Sequence, residues 1–296
     1  MNKTIGIFGG GQLGRMMAQA ALPLNIQCSF FEAETDCPAA ILGPVFSSKN
    51  PEALQDFIAS ADVFSLEFEN TPVADVDVLT QTKTLHPPRL ALATAQNRLA
   101  EKSLFDEHDI PVAPYRAVDS LESLKQAVAE LGLPIVLKTV TGGYDGKGQF
   151  VLRSEDQIDT AWTELGPAKS LIAESFVKFS REVSIIAVRG QDGDVKTWAL
   201  AENHHHNGIL SHSIVPAPNS TDLQPVAQDY ITQLLNHLNY VGVLTLELFV
   251  TEQGLYANEM ACRVHNSGHW SIEGAICSQF ENHIRAVAGL PLGATD

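Results

Sequence analysis

Four glycines in seven residues, Gly142, Gly143, Gly146 and Gly148, separate two apolar runs, Pro134-Ile-Val-Leu-Lys138 and Phe150-Val-Leu-Arg153. Two strands joined by so pliable a connection form a flexible hairpin, not a packed core. Glycine opens positive-φ backbone and lets N–H groups approach an anion closely, while Lys138 and Lys147 bring positive charge to the same place. The stretch reads as a lid over the phosphates of a nucleotide; the plainer alternative is an ordinary surface hairpin. The Gly-Lys-Ser/Thr ending that runs into a helix is missing, so this is not a Walker loop.

Upstream, Thr4–Phe8 is an apolar strand, Gly9-Gly-Gly-Gln-Leu-Gly14 a turn and Arg15–Leu22 a helix. A second strand, Gln27–Phe31, ends at Glu32, and a further helix (51–60) and strand (61–66) end at Glu67, Glu69 and Asn70. Alternating strands and helices with short links predict a parallel, Rossmann-like sheet over residues 1–95. The turn matches G-x-G-x-x-G with an acid after the next strand, yet any phosphate-bearing ligand can use such a turn. Glu67, Glu69 and Asn70 fall at the carboxyl edge where open α/β sheets bind ligands, either as solvated strand-end acids or as substrate groups.

A proline stop at 85–89 precedes one long expected helix, 91–108, with Arg98 and Lys102 on one face. Asp109-Ile-Pro-Val-Ala-Pro114 makes a hinge near residue 115. From there to about 178 the pattern is strand, helix, strand, hairpin, strand, helix, strand, a small lid subdomain. Glu174-Ser175-Phe176-Val177 follows its last strand, where backbone can read an adenine edge and a carboxylate can hold a ribose.

The remainder, 179–296, carries His204-His205-His206. Neighbours on an extended chain face alternate ways, so this is read as a polar loop with one functional histidine, not a metal triad. Two strands, Val243–Val250 and Leu255–Met260, flank a turn; centred on Gln253, it sets Glu247 opposite Glu259. Opposed like charges with Cβ atoms about 5 Å apart are destabilising. They either share a proton or bracket a hard cation, for which oxygen ligands favour magnesium. Another register would leave one of them in solvent. Arg263-Val-His-Asn-Ser-Gly-His-Trp270 gathers a cation, two histidines, an amide and a hydroxyl, and reads as an acceptor-substrate loop with Arg263 as anion clamp.

Composition narrows the partners. A net charge of −16 argues against a nucleic-acid or membrane surface, and no apolar run approaches the roughly 18 residues of a membrane helix. The four cysteines lack C-x-x-C spacing and read as reduced thiols, with no zinc site. The amino terminus lacks a signal-peptide core, which makes the cytoplasm the default.

The lid hairpin, the lysine before it and the Glu plus Asn-Glu pair on a later hairpin together resemble the ATP-grasp superfamily. More specifically, Gly-Gly-Gln-Leu-Gly-Arg-Met (10–16), Gly-Gly-Tyr-Asp-Gly-Lys-Gly-Gln (142–149) and Arg-Val-His-Asn-Ser-Gly-His-Trp (263–270) resemble the N5-carboxyaminoimidazole ribonucleotide synthetase family of purine biosynthesis. The resemblance implies an α/β fold, with a Rossmann-like domain at 1–95 and an α+β ATP-grasp domain at 96–296. It also implies an ATP-dependent carboxylation of aminoimidazole ribonucleotide by bicarbonate through carboxyphosphate, in a cytoplasmic homodimer.

By motif position, Arg98, Lys138, Gly143, Tyr144, Asp145, Gly146, Lys147, Gly148 and Gln149 would meet the ATP phosphates, and Glu174, Ser175, Phe176, Val177 and Glu182 the adenosine. His205 would reach the nucleotide, and Asn258, Glu259 and Glu247 would hold magnesium. Tyr144 and Asp145 would face the aminoimidazole, Asp145 as base, while Gln12, Leu13 and Glu69 would form the ribotide pocket. Arg263, His265, Asn266 and Ser267 would hold bicarbonate and the intermediate. Two departures stand out: Cys262 replaces the family's proline, and the family's small C-terminal domain has no counterpart before Asp296, so ATP binding is expected to survive better than ribotide affinity. Other readings stay open: a formate-dependent glycinamide ribonucleotide transformylase or biotin carboxylase type, a non-catalytic nucleotide-binding module, and a nicotinamide-dependent oxidoreductase built on residues 1–95.

Overall fold

The structure, a computed structural model, describes residues 3–142, 148–166, 170–206 and 208–296. Three sheets follow one another along the chain. In the first, β1 (Thr4–Phe8), β2 (Gln27–Glu32), β3 (Val45–Ser47) and β4 (Val63–Leu66) run parallel in the order β3-β2-β1-β4. β4 is buried at all four positions, as befits a parallel strand covered on both faces. Helices α1 (Gln12–Ala21), α2 (Ala53–Ala59) and α3 (Val73–Leu79) link these strands or follow them.

The single helix expected over 91–108 is two, α4 (Arg89–Ala95) and α5 (Arg98–Glu107). Asn97 between them is extended, and its side-chain oxygen accepts the N–H groups of Leu99 and Ala100 at 3.0 and 3.1 Å. That N-cap starts α5 afresh. Arg98 and Lys102 keep their spacing but do not form a solvated face, because Lys102 is only 1% exposed.

The second sheet is antiparallel: β5 (Tyr115–Val118), β6 (Ile135–Thr139), β7 (Gln149–Leu152) and β8 (Leu171–Ser175), in the order β5-β8-β6-β7. Helices α6 (Leu121–Leu131) and α7 (Ile158–Leu165) bury Leu124, Val128 and Ala161 against it in a core of its own. Glu174 and Ser175 lie inside β8 instead of beyond it.

The third sheet comprises β9 (Arg181–Arg189), β10 (Val195–Thr197), β11 (Ala201–His206), β12 (Ile209–Ile214), β13 (Gly242–Thr251) and β14 (Gly254–Ala261). Its path is β12-β11-β9-β13-β14, with β10 also on β9. Side chains of β9 alternate: Val183, Ile185 and Ala187 join the core containing α8 (Leu223–His237), while Ile186 and Val188 join that of α10 (Gln279–Ala288), which follows the short α9 (Ser271–Gly274). The three histidines stand on a strand, not in a loop. Register slips between His204 and His205, so strict alternation breaks there.

The β13–β14 hairpin reaches its expected pairing by an unexpected route. Thr251 pairs with Gly254 around a two-residue turn, a register that would set Glu247 against Asn258. A bulge then inserts Asn258, and Glu247 faces Glu259. Bulges re-aim side chains, and this one brings Glu259 opposite Glu247.

Candidate active site

At the glycine turn, the ligand is part of the chain. Gly11 and Leu13 donate their N–H groups to the Glu67 carboxylate at 2.6 and 3.1 Å, and Gly10 donates to Glu32 at 3.0 Å. A Cβ on Gly9, Gly11 or Gly14 would lie 2.6, 2.5 or 2.9 Å from a Glu67 oxygen. These glycines make room for Glu67, so the amides that a pyrophosphate would use are taken. Glu32, the acid after the second strand, accepts from the Gly10 and Ala33 N–H groups. Burial raises the Glu67 pKa, opposed by hydrogen bonds from Gly11, Gly14 and Leu13.

Beside this plug lies a cavity of about 540 Å³, lined by Phe8, Leu13, Glu67, Asn70, Asn266 and the paired Glu69 and Arg263. Arg263 grips Glu69 through Nε and through Nη2 at 3.0 Å, and Nη1 donates to the Val264 carbonyl at 3.0 Å. The guanidinium and its charge outweigh burial and hold the Glu69 carboxyl below its ordinary range. An anion at Arg263 would share it with Glu69. Arg263, read from the sequence as an anion clamp, already holds a carboxylate of the chain. Gln12, exposed at the start of α1, is not among the lining residues. Cys262 fills a fully buried core position next to Arg263.

On the lid side, Lys138 Nζ lies 3.0 Å from Glu174 Oε2 and Lys102 Nζ 3.9 Å from the same oxygen. Both charges outweigh burial and keep the Glu174 pKa low. Its other oxygen, Oε1, is buried with no hydrogen-bond partner among the described residues. That orphan points to an absent donor, as an adenine amine or ribose hydroxyl would be. Arg98 Nη1 donates to the carbonyls of Thr139 and Gly142 at 3.0 and 2.8 Å, tying α5 to the lid hairpin. Gln149 opens β7 opposite Lys138, and Gly148 precedes it at a φ of 70°. Phe176 is exposed near Arg153, with Ser175 and Val177 half-buried on either side. Gly143, Tyr144, Asp145, Gly146 and Lys147 lie outside the described residues.

Between lid and cavity stand the paired carboxylates. Glu247 Oε1 lies 3.0 Å from His265 Nε2. Burial pushes the Glu247 pKa up, but the hydrogen bond from His265, with the nearby Arg263 charge, brings it below its ordinary value. Glu259 moves the other way: burial and the Glu247 charge raise it against Lys138 and Arg98. His205 Nδ1 lies 3.1 Å from Glu182 Oε2, and donor atoms of Glu182, His205 and Glu247 fall within 4.8 Å of one another.

Sequence reasoning missed the support of the bulge. Lys102 Nζ donates to the Asn258 carbonyl at 2.7 Å, and Glu101 Oε1 accepts the Met260 N–H at 2.7 Å. Burial pushes the Glu101 pKa up to about 8 and the Lys102 pKa down. Adjacent polar side chains on α5 thus hold the backbone on both sides of Glu259. The available signal was a Glu-Lys pair inside an apolar stripe with Leu104 and Phe105.

A Rossmann-like sheet, an antiparallel lid and a third sheet presenting opposed carboxylates below a lysine-bearing strand define an ATP-grasp enzyme. Residues 103–280 match the ATP-grasp domain family and residues 1–96 the ribonucleotide synthetase preATP-grasp domain. The chain is 46% identical over 293 residues to the N5-carboxyaminoimidazole ribonucleotide synthase of Pseudomonas aeruginosa, covering 98% of this chain and 81% of that one. The synthetase crystal structure from Thermus thermophilus superposes with a TM-score of 0.93 at 44% identity, covering 98% and 80% of the two chains. That of the Aspergillus clavatus synthase with ADP and 5-aminoimidazole ribonucleotide gives 0.91 at 30% identity, covering 99% and 78%. The chain belongs to the N5-carboxyaminoimidazole ribonucleotide synthase family of ATP-dependent ligases.

Proposed function

We propose that this chain carboxylates 5-aminoimidazole ribonucleotide on its exocyclic amine, with ATP and bicarbonate as co-substrates. A bicarbonate oxygen attacks the γ-phosphorus and ADP leaves, forming carboxyphosphate. Carboxyphosphate splits into carbon dioxide and phosphate, and the amine nitrogen takes the carbon dioxide and loses a proton to become the carbamate. The observation that carries this reading is the opposition of Glu247 and Glu259, with Lys138 and Arg98 among the charges around Glu259 and Arg263 among those around Glu247.

Two carboxylates that raise each other's energy, beside the amide of Asn258, suit a hard divalent cation. Bound there, magnesium would neutralise charge on the transferred phosphoryl. Lys138 and Arg98 would meet the phosphates with the hairpin from Gly143 to Gln149, Glu174 Oε1 with Ser175, Phe176 and Val177 would receive the adenosine, and Glu182 and His205 would approach the ribose. Leu13 and Glu69 would line the ribotide pocket, with Gln12 at its rim. Arg263, His265, Asn266 and Ser267 would orient bicarbonate and carboxyphosphate, with Tyr144 and Asp145 against the amine and Asp145 taking its proton. Lid closure would shield carboxyphosphate from water. A boundary near residue 95, a homodimer and a cytoplasmic location belong to the same reading; among the described residues no helix is long and apolar enough to cross a membrane.

The test is ADP release with aminoimidazole ribonucleotide plus bicarbonate, compared with glycinamide ribonucleotide plus formate and with biotin plus bicarbonate. Turnover confined to the first pair is expected. Turnover only with formate or biotin would overturn the substrate assignment, and ATP binding without turnover on any pair would favour a nucleotide-binding module.

A further inference from the structure

Behind the loop that carries His265 and Ser267 runs a file of polar groups from Ser213, Asn203 and Ser184, none of which is in the ligand-binding set. Ser213 Oγ on β12 donates to Asn203 Oδ1 on β11 at 2.8 Å, and Asn203 Nδ2 donates to Ser184 Oγ on β9 at 3.0 Å. Ser184 Oγ donates to Ser267 Oγ at 2.8 Å, and Ser267 Oγ lies 2.8 Å from His265 Nδ1. The far ring nitrogen, Nε2, lies 3.0 Å from Glu247 Oε1. Ser184, Asn203 and Ser267 are 0, 6 and 1% exposed, so water does not replace these partners.

The file has a direction. An amide nitrogen can only donate, so the Ser184 oxygen accepts and its proton goes to Ser267, whose own proton then points at His265 Nδ1. A second group fixes the same sense independently of how the amide is turned: the Ser267 backbone N–H, which can only donate, points at Nδ1 from 3.3 Å. Nδ1 therefore presents its lone pair and Nε2 its hydrogen. In the opposite tautomer the Nδ1 hydrogen would meet that N–H, and a lone pair at Nε2 would face the carboxylate. The amide in the middle cannot hand a proton on as a hydroxyl does, so the file orients and does not conduct.

We propose that Ser184 and Asn203 are positioning residues that lock neutral His265 in its Nε2–H tautomer and so aim its donor at Glu247. The lock itself stands on the hydrogen bonds. Its consequence for the reaction, that Glu247 is held in one orientation toward its cation, rests on the ligase reading, and follows the way outer-shell donors fix ligating carboxylates.

Long-range ¹H–¹⁵N correlation spectra of the histidine rings in the full, substrate-free chain test this, with the His265 signals assigned by their loss in His265→Gln. The wild-type protein should show Nδ1 bare and Nε2 protonated. In Ser184→Ala the ratio of Nε2–H to Nδ1–H should fall by roughly threefold to tenfold, the worth of one neutral hydrogen bond. Ser184→Thr, which keeps the hydroxyl, should restore it. If Ser184→Ala does not fold, Ser213→Ala near the rim of the sheet should move the ratio the same way by a smaller factor. A wild-type spectrum with Nδ1–H or an even mixture overturns the proposal, as does an unchanged ratio in a folded Ser184→Ala or Ser213→Ala protein. A wild-type protein with the lock but without carboxylation of the ribonucleotide would count against the ligase reading alone.

Discussion

His283 on α10 joins the sheets of β4 and β13, and acid should pull that joint apart. Its Nδ1 accepts the Val243 N–H of β13 at 3.1 Å, and its Nε2 meets Ser65 Oγ of β4 at 2.7 Å. A backbone N–H can only donate, so the ring is neutral with its proton on Nε2. The ring is fully buried, and burial, with a smaller push from His86, lowers its pKa from 6.5 to about 3. The unfolded chain therefore takes up a proton below pH 6.5 that the folded chain refuses until about pH 3, and stability is lost as pH falls through that window. Between neutrality and about pH 5 the loss from this one group is about 2 kcal/mol, at about 1.4 kcal/mol per pKa unit. That is a large part of an ordinary net stability of roughly 5–15 kcal/mol. Urea unfolding at about pH 7.5 and about pH 5, for the wild-type chain and His283→Gln, measures it. The variant should be weaker at the higher pH by about 1–3 kcal/mol, through the disturbed Val243 bond. It should then lose about 2 kcal/mol less than wild type on acidification. Since both chains share every other titrating group, equal losses would refute the reasoning.

Three further outcomes follow from the site. Lys102→Met keeps volume but removes a cation from Glu174 and the clamp on the Asn258 carbonyl; the KM for Mg-ATP in the ADP-release assay should rise about tenfold, about 1.4 kcal/mol. Glu67→Ala strands the amides of Gly11 and Leu13; at about 2 kcal/mol, scanning calorimetry should show Tm lower by roughly 4–8 °C. Arg263→Lys cannot make the two-pronged contact with Glu69; the KM for bicarbonate or the ribonucleotide should rise at least about tenfold, with that for ATP within about twofold.

The lid hairpin, the opposed glutamates and the polar run at 263–270 were legible in the sequence because each is local: a glycine cluster after a strand, two strands around a short turn, polar residues in succession. What was not legible depends on a partner far along the chain. Glu247 and Glu259 were expected to face each other around a turn centred on Gln253, whereas the turn itself sets Glu247 against Asn258 and a bulge corrects it. Period-two alternation cannot show an inserted residue, since nothing in Ala-Asn-Glu-Met marks it; its support comes from Glu101 and Lys102 on α5. The glycine turn teaches the complementary lesson. Its spacing reports that backbone amides need room for an anion, but not whose anion, and Glu67 supplies it from 56 residues away. Glycine alone therefore does not separate the turn at 9–14 from the hairpin at 142–148. Cations do: Lys138 and Arg98 stand at the base of the hairpin, whereas the first turn is closed by two carboxylates, Glu32 and Glu67. On the reading proposed above, that difference in charge is the electrostatic reason for placing the ATP phosphates at the hairpin and not at the first turn.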